Sequence, residues 1–144
     1  MTDFEKIKNY YNSFDEENRL SKDASGRLEY EMSFRILNKF ICTNDNKTDK
    51  NCRTILDLGG GAGAYSFPLA SVGHKVYLAD LSLKHIEQAV SRKKRENATN
   101  LISCDVVNAL DLSIYEDNQF DVIILFGPLY HLLEESERKQ CLTI

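Results

Sequence analysis

The stretch TILDLGGGAGAYSFPLA, residues 54–70, decides the fold of this chain. Apolar and β-branched residues surround an aspartate, four glycines then fall within five positions, and an amphipathic segment follows. Glycine loses more conformational freedom on folding than any other residue, and such a dense cluster therefore indicates a structural or functional requirement. A glycine loop between a strand and a helix is the place where open α/β sheets bind ligands. The stretch therefore predicts a buried strand, a ligand-binding loop and a helix.

Short apolar segments alternate with amphipathic ones on the C-terminal side of this stretch. Strands alternating with helices of ten to fifteen residues indicate right-handed crossovers and a parallel sheet covered on both faces. The predicted fold class is α/β, a Rossmann-like doubly wound sheet. Its predicted strands are 54–58, 75–80, 101–105 and 120–126, its helices are 64–72 and 82–97 with Ser82 as N-cap, and a further helix starts in EESERKQCLTI.

Two helices are predicted on the N-terminal side. Residues 3–20 show apolar positions at spacings of three to four, and residues 25–41 show a clearer stripe. This stripe consists of Leu28, Met32, Ile36 and Phe40, widened by Leu37 and Ile41. The polar run TNDNKTDKN indicates a linker. We therefore expect a helical lid at 1–43, a linker at 44–53 and a cofactor-binding core at 54–144.

The charge and the cysteine and histidine content indicate which kinds of binding partner are expected. The 144 residues carry a net charge of −4, which disfavours nucleic acid or an anionic membrane as the main partner. The four cysteines form no CxxC pair, no secretory leader precedes them, and the three histidines lack metal-site spacing. We expect a soluble, cytoplasmic protein with reduced thiols and no metal.

Acidic residues end three of the predicted strands, at Asp57, Asp80 and Asp105. In a parallel sheet these ends meet at one edge, so we expect the three carboxylates to line a single cleft around the glycine loop. Asp80 follows Gly59 by 21 positions, where an acid can accept hydrogen bonds from ribose hydroxyls. Asp111 is an alternative to Asp105. Carboxylates repel phosphate, so the expected ligand carries hydroxyls and positive charge.

Four segments together resemble the first four motifs of class I S-adenosylmethionine-dependent methyltransferases. They are ILDLGGGAGAYSFPLA, VYLADLS, CDVVNA and FDVIILFGPLYHL, and they cover residues 54 to about 134. The resemblance implies the strand order 3-2-1-4. It also implies that S-adenosylmethionine, and its product S-adenosylhomocysteine, bind with the methionine part against the loop, with Asp57 beneath it. The loop glycines concerned are Gly59, Gly60, Gly61 and Gly63.

The same resemblance assigns the remaining cofactor contacts. It implies that Asp80 binds the ribose, Leu81 lies against the adenine, and Asp105 with the backbone of Val106 reads the adenine edge. Phe126 would border the methyl group.

The N-terminal helices and the segment after the fourth strand supply the remaining candidate contacts. In the lid, Tyr11 and Arg19, together with Tyr10, are candidates for contact with cofactor or substrate. His131 is the first candidate for a general base and Tyr130 the second, although His131 could equally cap or pack at a helix start. The predicted reaction is methyl transfer to a small-molecule acceptor.

Two alternative functions and one structural expectation stay open. The strand, loop and acid also suit an NAD-dependent oxidoreductase, and a non-catalytic S-adenosylmethionine-binding module would keep the same cleft. Full-length members of the resembling class have strands beyond the fourth, so we expect a truncated fold. In that fold the apolar strand 120–126 lies at an open edge, where a second chain can pair with it.

Overall fold

A computed structural model describes residues 5–6, 9–10, 22–42 and 52–143 of the chain. The helix predicted over 3–20 and the linker predicted over 44–53 fall mostly outside these residues. The division into lid, linker and core therefore stays a prediction. No helix in the described ranges is long and apolar enough to cross a membrane.

Four parallel strands form the sheet, in the order β3-β2-β1-β4. They are β1 (Thr54–Leu58), β2 (Lys75–Asp80), β3 (Leu101–Val106) and β4 (Val122–Ile124). The helices are α1 (Ala24–Cys42), α2 (Ser66–Ser71), α3 (Leu83–Glu96) and α4 (Glu135–Leu142), with a 3₁₀ turn at Pro128–Tyr130. The predicted fold class and strand order are confirmed.

The fourth strand is shorter than the predicted 120–126. It pairs only with Ile55, Leu56 and Asp57 of β1. Asp121 precedes it and exchanges two hydrogen bonds with Thr54, donating its backbone N–H and accepting at its carboxylate. Because β1 turns into the glycine loop after Leu58, which would lie opposite Leu125, the residues from Phe126 onward have no partner strand there. The apolar run therefore leaves the sheet early.

The core lies on both faces of the sheet. One face, covered by α1, α2 and α3, packs Ile55, Val76, Leu78 and Leu101. The other packs Leu56, Leu58, Ala79 and Val107 against partly buried aromatic residues. Side chains alternate along each strand, so neighbouring positions belong to different faces.

The helix α1 is confirmed, but of the stripe predicted for it only Leu37 and Ile41 are buried, and the other four residues face outward. Leu28 is 61% exposed and Phe40 73% exposed, and Met32 and Ile36 are about half exposed. The helix packs instead through a second apolar face, which contains Tyr30, Phe34, Leu37 and Ile41. Both faces have helical spacing. The second face packs against the core because Tyr30 stacks on Tyr65, which follows the glycine loop, with ring centroids 5.3 Å apart.

Candidate functional site

The glycine loop connects β1 to α2 at the carboxyl edge of the sheet. Its turn uses left-handed backbone at Gly59, Gly61 and Gly63, where φ is 74°, 58° and 89°. The N–H groups of Gly59 and Gly60 both donate to the carbonyl oxygen of Ala79, at 2.7 and 3.2 Å. The loop is therefore tied to the end of β2.

The loop glycines divide into two groups according to what surrounds them. A Cβ atom would lie 2.5 Å from Pro128 at Gly59, 2.5 Å from Leu78 at Gly60, and 2.9 Å from Phe67 at Gly63. These three glycines are required by the protein's own packing. A Cβ at Gly61 would meet only His85 Nδ1, at 3.9 Å. The backbone at Gly61 therefore faces open space, which suits a loop that a ligand approaches.

The side chain of Asp80 lies directly against this open part of the loop. Gly61 N donates to Asp80 Oδ2 at 2.9 Å, and Ser82 N donates to Oδ1 at 2.8 Å. His85 Nδ1 lies 3.4 Å from the same Oδ1. The Asp80 side chain is 13% exposed, so the carboxylate is held in place while part of it still reaches the cleft.

Asp57 lies beneath the loop and is only 2% exposed. Ser66 Oγ donates to its Oδ2 at 2.6 Å. Burial raises the pKa of Asp57 to about 6, and the hydrogen bond from Ser66 opposes that shift. A carboxylate of this kind is ionised at pH 7. It places a negative charge under the loop, where a cationic ligand is favoured.

The structure does not bring Asp105 into this cleft. The register of β2 and β3 shifts between Val76 and Tyr77, so that Asp105 lies beside Ala79 and not beside Asp80. A shift of one residue turns every following side chain to the other face. Asp105 accordingly accepts hydrogen bonds from Ser103 Oγ and Tyr115 OH, at 2.6 and 3.3 Å. The expected single cleft lined by three acids is therefore wrong for Asp105.

β2 and β3 end side by side at the carboxyl edge of the sheet, and the residues at and just after their ends lie there. Val106 takes the place beside Asp80 and is about half exposed, while Leu81 is partly buried. The backbone N–H of Val107 donates to the carbonyl oxygen of Asp80 at 2.9 Å. Asn108 therefore leaves the strand at this edge, in a turn where its Oδ1 accepts from Leu110 N at 3.0 Å.

Two residues at this edge were not candidates in the sequence analysis, namely His85, which contacts the Asp80 carboxylate, and Asn108, which follows β3. The alternative acid, Asp111, is exposed and its Oδ1 accepts from the N–H of Ser113. The signal for Asn108 was its place just after the third strand. The signal for His85 was its position three residues after the N-cap Ser82, on the first turn of α3.

The segment after β4 forms the wall opposite Asp80. Pro128 lies against Gly59, as the close approach of its ring shows. Phe126 makes an edge contact with Tyr65, with ring centroids 5.1 Å apart, and is about half exposed. Tyr130 is 83% exposed and His131 is partly buried. The structure thus brings this segment to the loop, with Tyr130 open to solvent.

Two predicted contacts cannot be placed, since Tyr11 and Arg19 lie outside the described residues. Tyr10 is described, lies in helical backbone and is exposed. In the part of the chain that the structure describes, no three His, Cys, Asp or Glu side chains are grouped so as to hold a metal ion.

Sequence comparison finds a matching protein family and a related protein. A family model described as a methyltransferase domain matches residues 55–143. The cypemycin N-terminal methyltransferase of a Streptomyces species is 32% identical over 87 residues, which cover 60% of this chain and 33% of that protein. The chain thus spans about a third of the length of this curated relative.

Structural comparison finds the same fold in solved proteins. The magnesium protoporphyrin IX methyltransferase of Synechocystis PCC 6803, solved with bound S-adenosylmethionine, superposes with a TM-score of 0.75 at 22% identity. The match covers 97% of this chain and 69% of that one. The PH0226 protein of Pyrococcus horikoshii OT3 gives a TM-score of 0.70 at 28% identity, covering 93% and 57%.

Proposed function

The chain belongs to the methyltransferase domain family, and from that premise we propose that it binds S-adenosylmethionine and methylates a small molecule. One observation carries the proposal. The backbone at Gly61 faces open space while its N–H holds the Asp80 carboxylate at the edge of the same cleft. A bare peptide beside an anchored acid suits a nucleoside joined to an amino acid.

Asp80 and Asp57 have different proposed roles. Asp80 keeps an exposed part and accepts hydrogen bonds from ribose hydroxyls. Asp57 stays buried and supplies negative potential to the cationic part of the ligand through the loop. When bound, S-adenosylmethionine supplies an electrophilic sulfonium methyl group. The chain contributes position, because aligning two reactants lowers a barrier by about 7–11 kcal/mol.

We assign the adenine edge to Asn108 and not to Asp105. Asn108 directly follows Val107, whose backbone N–H donates to the carbonyl oxygen of Asp80, whereas Asp105 is engaged by Tyr115 on the opposite face. An amide carries both donors and an acceptor, so it matches the mixed edge of adenine. Leu81 and Val106 are proposed as the apolar surfaces beside the ring.

The segment after β4 is proposed to face the acceptor. Phe126 borders the methyl group and is held by its edge contact with Tyr65. His131 is the first candidate for removing a proton from the acceptor, and Tyr130 is the second. Tyr11 and Arg19 remain predicted contacts of the lid.

The acidic net charge supports a small acceptor over nucleic acid. Cys52, Cys104 and Cys141 are free thiols, which supports a cytoplasmic location.

Strand β4 lies at one edge of the sheet, where it pairs with β1 on one side, and its residue Ile123 is about half exposed. We propose that a second copy can pair there. Sedimentation of a strictly monomeric species at high concentration would contradict this.

Calorimetric titration tests the binding step. We expect S-adenosylhomocysteine to bind and NAD to give no heat, since an NAD-dependent oxidoreductase would show the reverse. Asp80→Asn should weaken binding about tenfold, in line with the loss of a charged hydrogen-bond acceptor. Asp117→Asn is the matched control, because Asp117 is an exposed acid outside the cleft. Equal affinity of both variants would remove Asp80 from the site.

Turnover needs a separate measurement. Mass spectrometry of candidate small molecules, incubated with the protein and S-adenosylmethionine, detects a gain of one methyl group. Binding without any such product would favour the non-catalytic module.

A further inference from the structure

We propose that His85 is a positioning residue for Asp80, holding one oxygen of its carboxylate so that the other faces the ligand. This inference rests on the proposed function, because the ligand in question is the ribose of the cofactor. It adds a side chain to the site that acts through Asp80 and not by direct contact.

The start of α3 places the His85 ring. Ser82 is the N-cap, and its Oγ accepts from the backbone N–H of His85 at 3.4 Å. Side chains on a helix lean towards its N-terminus, so a residue in the first turn reaches back to the preceding segment. His85 and Ser82 are both 2% exposed. The imidazole is therefore a buried group with a defined direction, towards the end of β2.

The hydrogen bonds of Asp80 are distributed unevenly between its two oxygens. Oδ1 receives Ser82 N at 2.8 Å and has His85 Nδ1 at 3.4 Å, while Oδ2 receives, among the residues that the structure describes, Gly61 N alone at 2.9 Å. A carboxylate has about four acceptor positions, two on each oxygen. Both positions of Oδ1 are thus taken, and Oδ2 keeps one for a ligand hydroxyl.

The tautomer of His85 follows from the same contact. A lone pair on Nδ1 would face the lone pairs of Oδ1 and repel them, so Nδ1 carries the proton. The ring then donates to the carboxylate and fixes its rotation. Since the Cβ position at Gly61 is 3.9 Å from Nδ1, the ring also lies beside the open part of the loop.

A double-mutant cycle tests this role. S-adenosylhomocysteine is titrated into the wild type, His85→Leu, Asp80→Asn and the double variant. We expect His85→Leu to weaken binding about tenfold in the wild-type background, and to cause no further loss in the Asp80→Asn background. His85→Asn keeps an amide N–H at the same number of bonds from Cα and should stay within about threefold of the wild type. Glu87→Leu is the control, an exposed position on the same helix.

The outcomes separate the inference from the function on which it rests. An equal loss from His85→Leu in both backgrounds would show that the ring acts through packing, and no loss in either would also overturn the proposal. A wild type that binds no S-adenosylhomocysteine would refute the proposed function. In that case the melting temperatures of the same four proteins are measured without ligand. The shift caused by His85→Leu should then shrink when Asp80 is Asn, and an unchanged shift would overturn the contact itself.

Discussion

Replacing Asp57 with Asn should change how the stability of the protein depends on pH. The pKa of Asp57 is raised by burial from its ordinary value of 3.8 to about 6. At about 1.4 kcal/mol for each tenfold change in proton affinity, ionising this group costs the folded state about 3 kcal/mol. Asn is neutral at every pH, and its carbonyl oxygen can still accept from Ser66 Oγ.

The sign follows from which state binds the proton more tightly. Below pH 3.8 both states are protonated and the cost is absent. Between pH 3.8 and about 6 the folded state keeps the proton that the unfolded state has lost, so the stability from this group falls as the pH rises. Above pH 6 the full cost is present. The stability of Asp57→Asn relative to the wild type should therefore increase by about 2.5 kcal/mol from pH 4 to pH 8, since a small part of the cost is already present at pH 4.

Urea unfolding at several pH values measures this difference. The wild type, Asp57→Asn and the exposed control Asp117→Asn are compared at each pH, so that the other titrating groups cancel. A gap between Asp57→Asn and the wild type that stays constant from pH 4 to pH 8 would refute the reasoning. It would mean that the buried carboxylate ionises as it does in the unfolded chain.

Four further substitutions test the geometry of the cleft and its candidate base. Gly60→Ala should lower the melting temperature, because its Cβ would lie 2.5 Å from Leu78. Gly61→Ala should cost about 1–2 kcal/mol, because alanine is strained in left-handed backbone, and it should also abolish binding of S-adenosylhomocysteine in calorimetry under conditions where the variant is still folded. Asn108→Ala should weaken that binding about tenfold, and unchanged affinity would place the adenine elsewhere. His131→Ala should lower the methylation rate by about a hundredfold or more if His131 is the general base. Full activity of this variant would exclude His131 as the base.

The order of elements around the loop could be predicted from the sequence because it depends on local signals. β1, β2 and the cap of α3 at Ser82 lie where the apolar runs and the capping residue indicated. The proximity of Asp80 to the loop followed from topology, since parallel strands end at one edge. The identity of the ring near Asp80 did not follow, because His85 reaches it from the next helix.

Apolar periodicity alone identified only Leu37 and Ile41 of the packed face of α1. That helix carries two stripes of apolar residues, and periodicity gives both the same weight. Tyr30 and Leu37 face the core because Tyr65, far along the chain, offers an aromatic surface to that side. Such a choice depends on a contact between distant residues, which local spacing does not contain.

The sequence by itself determined that a glycine loop joins a buried strand to a helix, and that a parallel sheet places Asp80 beside it. Only the tertiary structure decided which of the remaining polar residues share that cleft. One extra residue in β3, at the irregularity between Val76 and Tyr77, moves Asp105 from the side of Asp80 to the opposite face. Because side chains alternate along a strand, a single displaced pairing reverses every position after it, and no local pattern records where the displacement occurs.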